Sequence, residues 1–177
     1  GRMLLDMINN ILDLAKIESG KMEIRLTDFS IAQVIGAQCD MARPLTEKKN
    51  IDLEMVIEPN LPPMHQDQAR VQQVLNNLLS NAIKYSPSGK ITISAELRGQ
   101  NIICSVADEG PGINPGDMPY VFDRFYRSSN AIRQTKGAGL GLYLAKAIVE
   151  AHEGRMWVDS EYNNGAKICF SLPITKS

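Results

Sequence analysis

Apolar residues recur at steps of three and four along the first part of the chain: Leu4, Leu5, Ile8, Ile11, Leu12 and Ala15. That spacing predicts an amphipathic helix, and Gly20 stands where a left-handed residue ends one. The narrow stripe has two readings. The helix packs on the domain that follows, or it is half of a helical hairpin or dimer stem whose other helix lies outside the chain. KMEIRL, residues 21–26, alternates and predicts a short strand. Ser30 then caps a helix with Ile31, Val34, Ile35 and Ala42 inward, interrupted at Pro44. IDLEMVIE, Ile51 to Glu58, alternates like a half-buried strand, and the prolines of PNLPPMHQ predict a loop.

Asp67 caps the next helix, which runs to about Tyr85 with Val71, Val74, Leu75, Leu78, Leu79, Ala82 and Ile83 on one face. Ser86 to Gly89 ends it with turn chemistry. KITISAEL and NIICSVA form a hairpin about Arg98-Gly99-Gln100. A Gly/Pro-rich loop, ADEGPGINPGD, follows, then one short helical turn in PYVFDRFYRSS and a polar stretch, RSSNAIRQTK. A helix from about Leu140 to Glu153 precedes a last hairpin, GRMWVDS and AKICFSLP, turning at Tyr162-Asn163-Asn164-Gly165. The sum is an α+β fold: a two-layer sandwich of a mixed, mostly antiparallel sheet with helices on one face, plus an N-terminal helical stub.

Composition narrows the function classes. At 177 residues, 44% hydrophobic and 22% charged, the chain has the size of one domain with a short appendage. A net charge of −1 argues against a nucleic-acid partner, which calls for a basic excess. Cys39, Cys104 and Cys169 are far apart and outside any CxxC pair, so they read as core thiols in a reducing compartment. No signal peptide and no apolar run of about 18 residues is visible. The leading Gly1-Arg2-Met3 reads as an arbitrary cut in a longer protein.

Three features carry chemistry. Gly137, Gly139 and Gly141 alternate directly before a helix, where backbone N–H groups and the helix dipole suit an anion. The spacing is neither a Walker A loop nor a dinucleotide fingerprint, which needs GxGxxG straight after a strand. On the helix 67–85, Gln73, Asn77 and Asn81 recur every fourth residue and lead to Lys84. Carboxamide oxygens suit a hard cation such as Mg²⁺, and the lysine suits phosphate. Asp108 closes an apolar strand above the turn Gly110-Pro111-Gly112, where a carboxylate can accept from an exocyclic amine while a flat ring lies over the glycines.

Together these segments resemble the ATP-binding catalytic domain of sensor histidine kinases, a Bergerat-fold ATPase also found in gyrase and MutL-type proteins. NNLLSNAIKYS resembles the family's N box, DEGPGI its G1 box, VFDRFYR its F box and GAGLGL its G2 box, in family order over about residues 22–174. ILDLAKIESGKMEI resembles the end of the second helix of the dimerisation and phosphotransfer hairpin. The resemblance therefore divides the chain into a stem, 1–20, and a catalytic domain, 21–177.

The resemblance also implies roles. Asn81 would hold the Mg²⁺ that bridges the ATP phosphates, Asn77 would contact phosphate or metal beside it, Lys84 the phosphates, and Tyr85 the pocket wall. Asp108 would read the adenine amine, with Gly110, Gly112 and Ile113 against the ring. Phe122, Phe125, Tyr126 and Arg127 would belong to a lid, Arg127 facing γ-phosphate charge, and Lys136, Gly137, Gly139, Leu140, Gly141 and Leu142 would close over the triphosphate. The polar segment 128–136 would be ordered mainly by nucleotide.

The phosphoacceptor motif of the family is absent, and neither His65 nor His152 has its context; both read as ordinary surface or loop residues. Phosphate would go to a histidine on the missing hairpin and then to a response-regulator receiver domain, within a homodimeric full-length protein whose kinase part is cytoplasmic. A non-catalytic nucleotide-sensing module of the same fold is the alternative. A hydrolysing ATPase fits less well, because Asn77 stands where such enzymes carry a catalytic glutamate.

Overall fold

The computed structural model describes residues 2–123 and 141–175. Along them run α1 (Arg2–Glu18), β1 (Thr27–Phe29), α2 (Ile31–Lys48), β2 (Ile51–Ile57), β3 (Met64–Gln66), α3 (Gln68–Tyr85), β4 (Gly89–Arg98), β5 (Asn101–Asp108), a 3-10 turn at Met118–Tyr120, α4 (Gly141–Ala151), β6 (Arg155–Val158) and β7 (Lys167–Pro173). Five strands make one sheet in the order β2-β4-β5-β7-β6, in which β2 and β4 are parallel and the other pairs antiparallel. The helices α2, α3 and α4 pack against this sheet. The expected two-layer sandwich is what the chain forms.

Register explains the core. Ile93 of β4 pairs with Val106 of β5, which pairs with Ile168 of β7; Ala95, Cys104 and Phe170 make the next row. These rows are buried and meet Ile35 of α2, Leu75 and Leu78 of α3, and Leu144 and Ile148 of α4 in one cluster. Each such side chain contributes about 1.5–3 kcal/mol by leaving water. All three cysteines are buried free thiols. Burial pushes the Cys104 thiol up to about 12 and that of Cys169 to about 11.

Three of these expectations need correction. KMEIRL is irregular, and the strand begins only at Thr27. Alternation makes a strand only where a partner edge exists, and the partner here is β3, which pairs with Thr27–Phe29 alone. The proline-rich loop accordingly ends in a strand, with Met64 and Gln66 buried. The helix α2 passes through Pro44 without interruption. The carbonyl that proline leaves without a donor belongs to Asp40, on an exposed face where water can serve it.

The helix α1 forms as expected. Its seat on the domain is Leu14, only 6% exposed, with Ile17 and Met22 partly buried beside it, whereas Leu5, Ile8, Ile11 and Leu12 are exposed. The helix packs on α4 through one face and leaves most of the expected stripe open. Gly20, at φ +72°, ends it as expected, with the Lys21 N–H donating to the Lys16 carbonyl at 2.9 Å.

Candidate functional site

The helix α3 carries half of the site, and its position is secured at both ends. The Asp67 carboxylate accepts from the Arg70 N–H at 3.3 Å, capping the helix, and from the Arg25 N–H at 2.9 Å. At the other end the Lys49 ammonium donates to the Ile83 carbonyl. All seven apolar residues expected inward are buried, so the 3.6-residue period turns the carboxamides to the rim of the core. They do not share one fate. The Gln73 amide donates to Asp13 of α1 at 2.8 Å and its oxygen accepts from Arg70 at 2.8 Å. Arg70 is itself 3.6 Å from Asp13. Gln73 thus belongs to the joint with the stem. Asn77 donates to the Gly141 carbonyl at 3.2 Å, bringing the middle of α3 to the first residue of α4. Asn81 is half-buried and its carboxamide makes no hydrogen bond among the described residues.

The other half is the end of β5. Asp108 is 7% exposed. Its Oδ1 accepts from the Gly110 N–H at 2.9 Å and from the Ala166 N–H at 3.2 Å. Its backbone N–H donates to the Ala166 carbonyl at 2.8 Å, and the Tyr162 hydroxyl donates to its carbonyl at 2.9 Å. Burial raises the Asp108 pKa above the usual carboxylate value, and the two N–H bonds only partly oppose it. The Tyr162 phenol is also pushed up, first by burial and then by the charges of Asp108 and Glu109. A Cβ at Gly165 would run into the Asp108 carbonyl oxygen, so the β6–β7 turn can close on β5 only through a glycine. Gly112 adopts φ +78°, a left-handed conformation that side chains disfavour.

The two halves meet at the C-terminus of α3. A Cβ placed on Gly110 would lie 3.1 Å from the Tyr85 carbonyl oxygen, 3.2 Å from Asp108 Oδ1 and 3.4 Å from Ser86 Oγ. Ser86 is 1% exposed, and its hydroxyl has no hydrogen-bond partner among the described residues. A buried hydroxyl left in that state costs about 1–3 kcal/mol. Lys84 is exposed, with its ammonium 5.7 Å from the Tyr85 ring centre. Tyr162, Gly165, Ala166 and Ser86 were not expected at the site. Asn164-Gly165 signalled only a hairpin turn, and Ser86 only the end of a helix.

The remaining expected residues divide as follows. Ile113 and Leu142 are half-buried, and Leu142 packs on the core. Phe122 also packs on the core, with the Lys146 ammonium 5.2 Å from its ring centre, so it anchors the segment before residue 124. Phe125, Tyr126, Arg127, Lys136, Gly137, Gly139, Leu140 and the segment 128–136 lie outside the described residues. His65 is in β3 with Nδ1 2.8 Å from Asp28 Oδ1. His152 is not a surface residue: it is buried, with Nδ1 3.1 Å from Gln66 Oε1.

Among the described residues no three His, Cys, Asp or Glu side chains converge on a metal site. A divalent cation here would need the oxygen of Asn81 together with oxygens of a ligand, a donor set that fits Mg²⁺ held on phosphates.

Residues 66–176 match the family described as histidine kinase-, DNA gyrase B-, and HSP90-like ATPase. The chain belongs to this family. The autoinducer 2 sensor kinase/phosphatase LuxQ of Vibrio vulnificus is 35% identical over 99% of the chain, which spans 22% of LuxQ. ShkA, solved at full length in complex with AMPPNP, superposes with a TM-score of 0.85 and 29% identity, over 96% of this chain and 35% of ShkA. The histidine kinase ThkA, solved with the response regulator TrrA, superposes with a TM-score of 0.76 and 25% identity, over 98% of this chain and 49% of that one. This is the ATPase catalytic domain of a sensor histidine kinase, and the cleft between α3, the β5 loop and the start of α4 is its candidate nucleotide site. No helix among the described residues is long and apolar enough to cross a membrane.

Proposed function

We propose that the domain binds Mg-ATP across this cleft and presents the γ-phosphoryl group to a histidine on a dimerisation hairpin. The observation that supports this reading is the buried carboxylate of Asp108 meeting the C-terminal end of α3, at Tyr85 and Ser86, across the joint at Gly110. Asp108 accepts from the adenine amine, and the ring lies over Gly110 and Gly112 toward Ile113. Asn81 holds Mg²⁺, Asn77 contacts phosphate or metal, and Lys84 and Tyr85 flank the phosphates. Bound Mg²⁺ supplies charge neutralisation on the triphosphate. Arg127 stabilises γ-phosphate charge, and Lys136 to Leu142 close over the triphosphate.

In the transfer, an imidazole nitrogen forms the new P–N bond as the β–γ bridging P–O bond breaks, and ADP leaves. His65 pairs through Nδ1 with Asp28 and His152 is buried against Gln66, and neither has the sequence context of the family's phosphoacceptor. On this reading the acceptor histidine belongs to the hairpin and not to residues 1–177. Residues 1–20 are read as the end of the hairpin's second helix and 21–177 as the catalytic domain. A homodimeric protein whose kinase part lies in the cytoplasm, passing phosphate to a response regulator, completes the reading.

Calorimetry with AMPPNP tests it. Binding that needs Mg²⁺ and disappears in Asn81→Ala and Asp108→Ala is expected. The separate hairpin supplied with labelled ATP should then acquire label. Binding without labelling would instead mark a nucleotide-sensing module.

A further inference from the structure

The Ser86 hydroxyl is among the most deeply buried polar groups of the chain and lacks a hydrogen-bond partner among the described residues. Native proteins pair such groups, and the exceptions call for a reason. Its surroundings supply one. The backbone of Ser86 is committed, because its N–H donates to the Ala82 carbonyl and closes α3 at 3.0 Å. Its side chain therefore cannot drift far from the β5 loop. The point 3.4 Å from Ser86 Oγ and 3.2 Å from Asp108 Oδ1 is where a Cβ on residue 110 would stand. Because residue 110 is glycine, no Cβ stands at that point between hydroxyl and carboxylate.

We propose that Ser86 is a positioning residue for Asp108: its hydroxyl, without a partner among the described residues, donates to the Asp108 carboxylate when a purine amine docks. The proposal rests on the reading that Asp108 faces a purine. An amine drawn to Oδ2 rotates the carboxylate about its last bond and leaves Oδ1 to be held by its donors. The N–H groups of Gly110 and Ala166 already approach Oδ1, and the hydroxyl adds a third donor. A third donor favours the ionised carboxyl against the burial that disfavours it. Substrate discrimination follows, since a 6-amino purine engages the arrangement and a 6-oxo purine offers no amine to trigger it. The hydroxyl touches no open space, so it acts through Asp108 rather than on the nucleotide.

The test compares wild type with Ser86→Ala by thermal melting without nucleotide and by calorimetry with Mg²⁺ and either AMPPNP or inosine triphosphate, from pH 5 to 8. Removing an unpaired buried hydroxyl should leave the free protein as stable as wild type or more so. AMPPNP should bind about tenfold more weakly, as for one lost hydrogen bond to a charged group. The acid midpoint of AMPPNP binding should move to higher pH, and inosine triphosphate affinity should stay as in wild type. A general packing role would lower stability and both affinities together, and that result overturns the proposal. So does AMPPNP binding identical to wild type at every pH. If wild type itself binds the two nucleotides equally, the reading of Asp108 as the amine acceptor fails first. If wild type prefers AMPPNP and Ser86→Ala matches it, only the role of Ser86 fails.

Discussion

The Asn77 carboxamide donates to the Gly141 carbonyl at 3.2 Å, and this single side-chain bond ties the middle of α3 to the first residue of α4. A neutral hydrogen bond contributes about 1 kcal/mol. Asn77→Ala should therefore lower the melting temperature by about 2–4 °C for a domain of this size. Asn77→Asp, which cannot donate, should lower it as much. Both should also weaken AMPPNP, and calorimetry beside the melting curve separates the two effects.

Asp108 predicts opposite pH trends for folding and for binding. Its pKa is raised in the folded chain, so the folded form holds the proton more tightly than the unfolded form. The stability it contributes is fully present below the ordinary carboxylate pKa and is lost as pH rises through the raised value. Urea unfolding of the nucleotide-free domain should show that loss, and Asp108→Asn should remove it. Adenine affinity should rise through the same window, because the amine prefers the ionised acceptor. Equal unfolding slopes for the two proteins would contradict the assignment.

The period of α3 was legible because a helix buries one face whatever it packs on, and all seven inward residues follow from spacing alone. On α1 the spacing gave the helix but not its buried side. Its apolar residues outnumber one face, and only the position of α4 decides that Leu14 goes in while Leu12 stays out. KMEIRL failed for a related reason, since a strand is a property of a pair. At the candidate site the α3 carboxamides and Asp108 were legible, because their chemistry is unusual for their places. Tyr162 was not: it meets Asp108 across 54 residues, and only the β5–β7 register brings them together. Gln73 shared the spacing of Asn77, yet Asp13 claims it.

Gly165→Ala should be costly for a steric reason. The added methyl meets the Asp108 carbonyl oxygen, a backbone atom held inside the sheet. Overpacking of this kind costs about 1–3 kcal/mol. Guanidinium unfolding should show a lower midpoint with unchanged slope, and AMPPNP affinity should fall because the Asp108 carboxylate is displaced.

The stem joint gives a prediction about coupling. Asp13, Arg70 and Gln73 form one polar cluster, with Asp13 and Arg70 only about a fifth exposed at their side chains. Asp13→Ala and Gln73→Ala should not add. Their double-mutant cycle should give about 0.5–3 kcal/mol of coupling. Either change should speed limited proteolysis in residues 19–26, where the chain leaves α1.

The thiols offer an independent check of the core. With Cys104 pushed up to about 12 and Cys169 to about 11 by burial, neither forms thiolate at neutral pH. A thiolate-specific reagent should leave both untouched at pH 8 until urea unfolds the domain, and should then label all three cysteines in one step.

The clamp on Asp108 has a consequence for the order of events in the cleft. Tyr162, Gly165 and Ala166 hold that residue from both faces of its peptide, so one end of the cleft is a rigid abutment built before any ligand arrives. At the opposite end, the Asn77 carboxamide hydrogen-bonds the Gly141 carbonyl at the start of α4. A ligand that reached both would meet a base site already formed by the folded chain. The base would set the address before the phosphates engage.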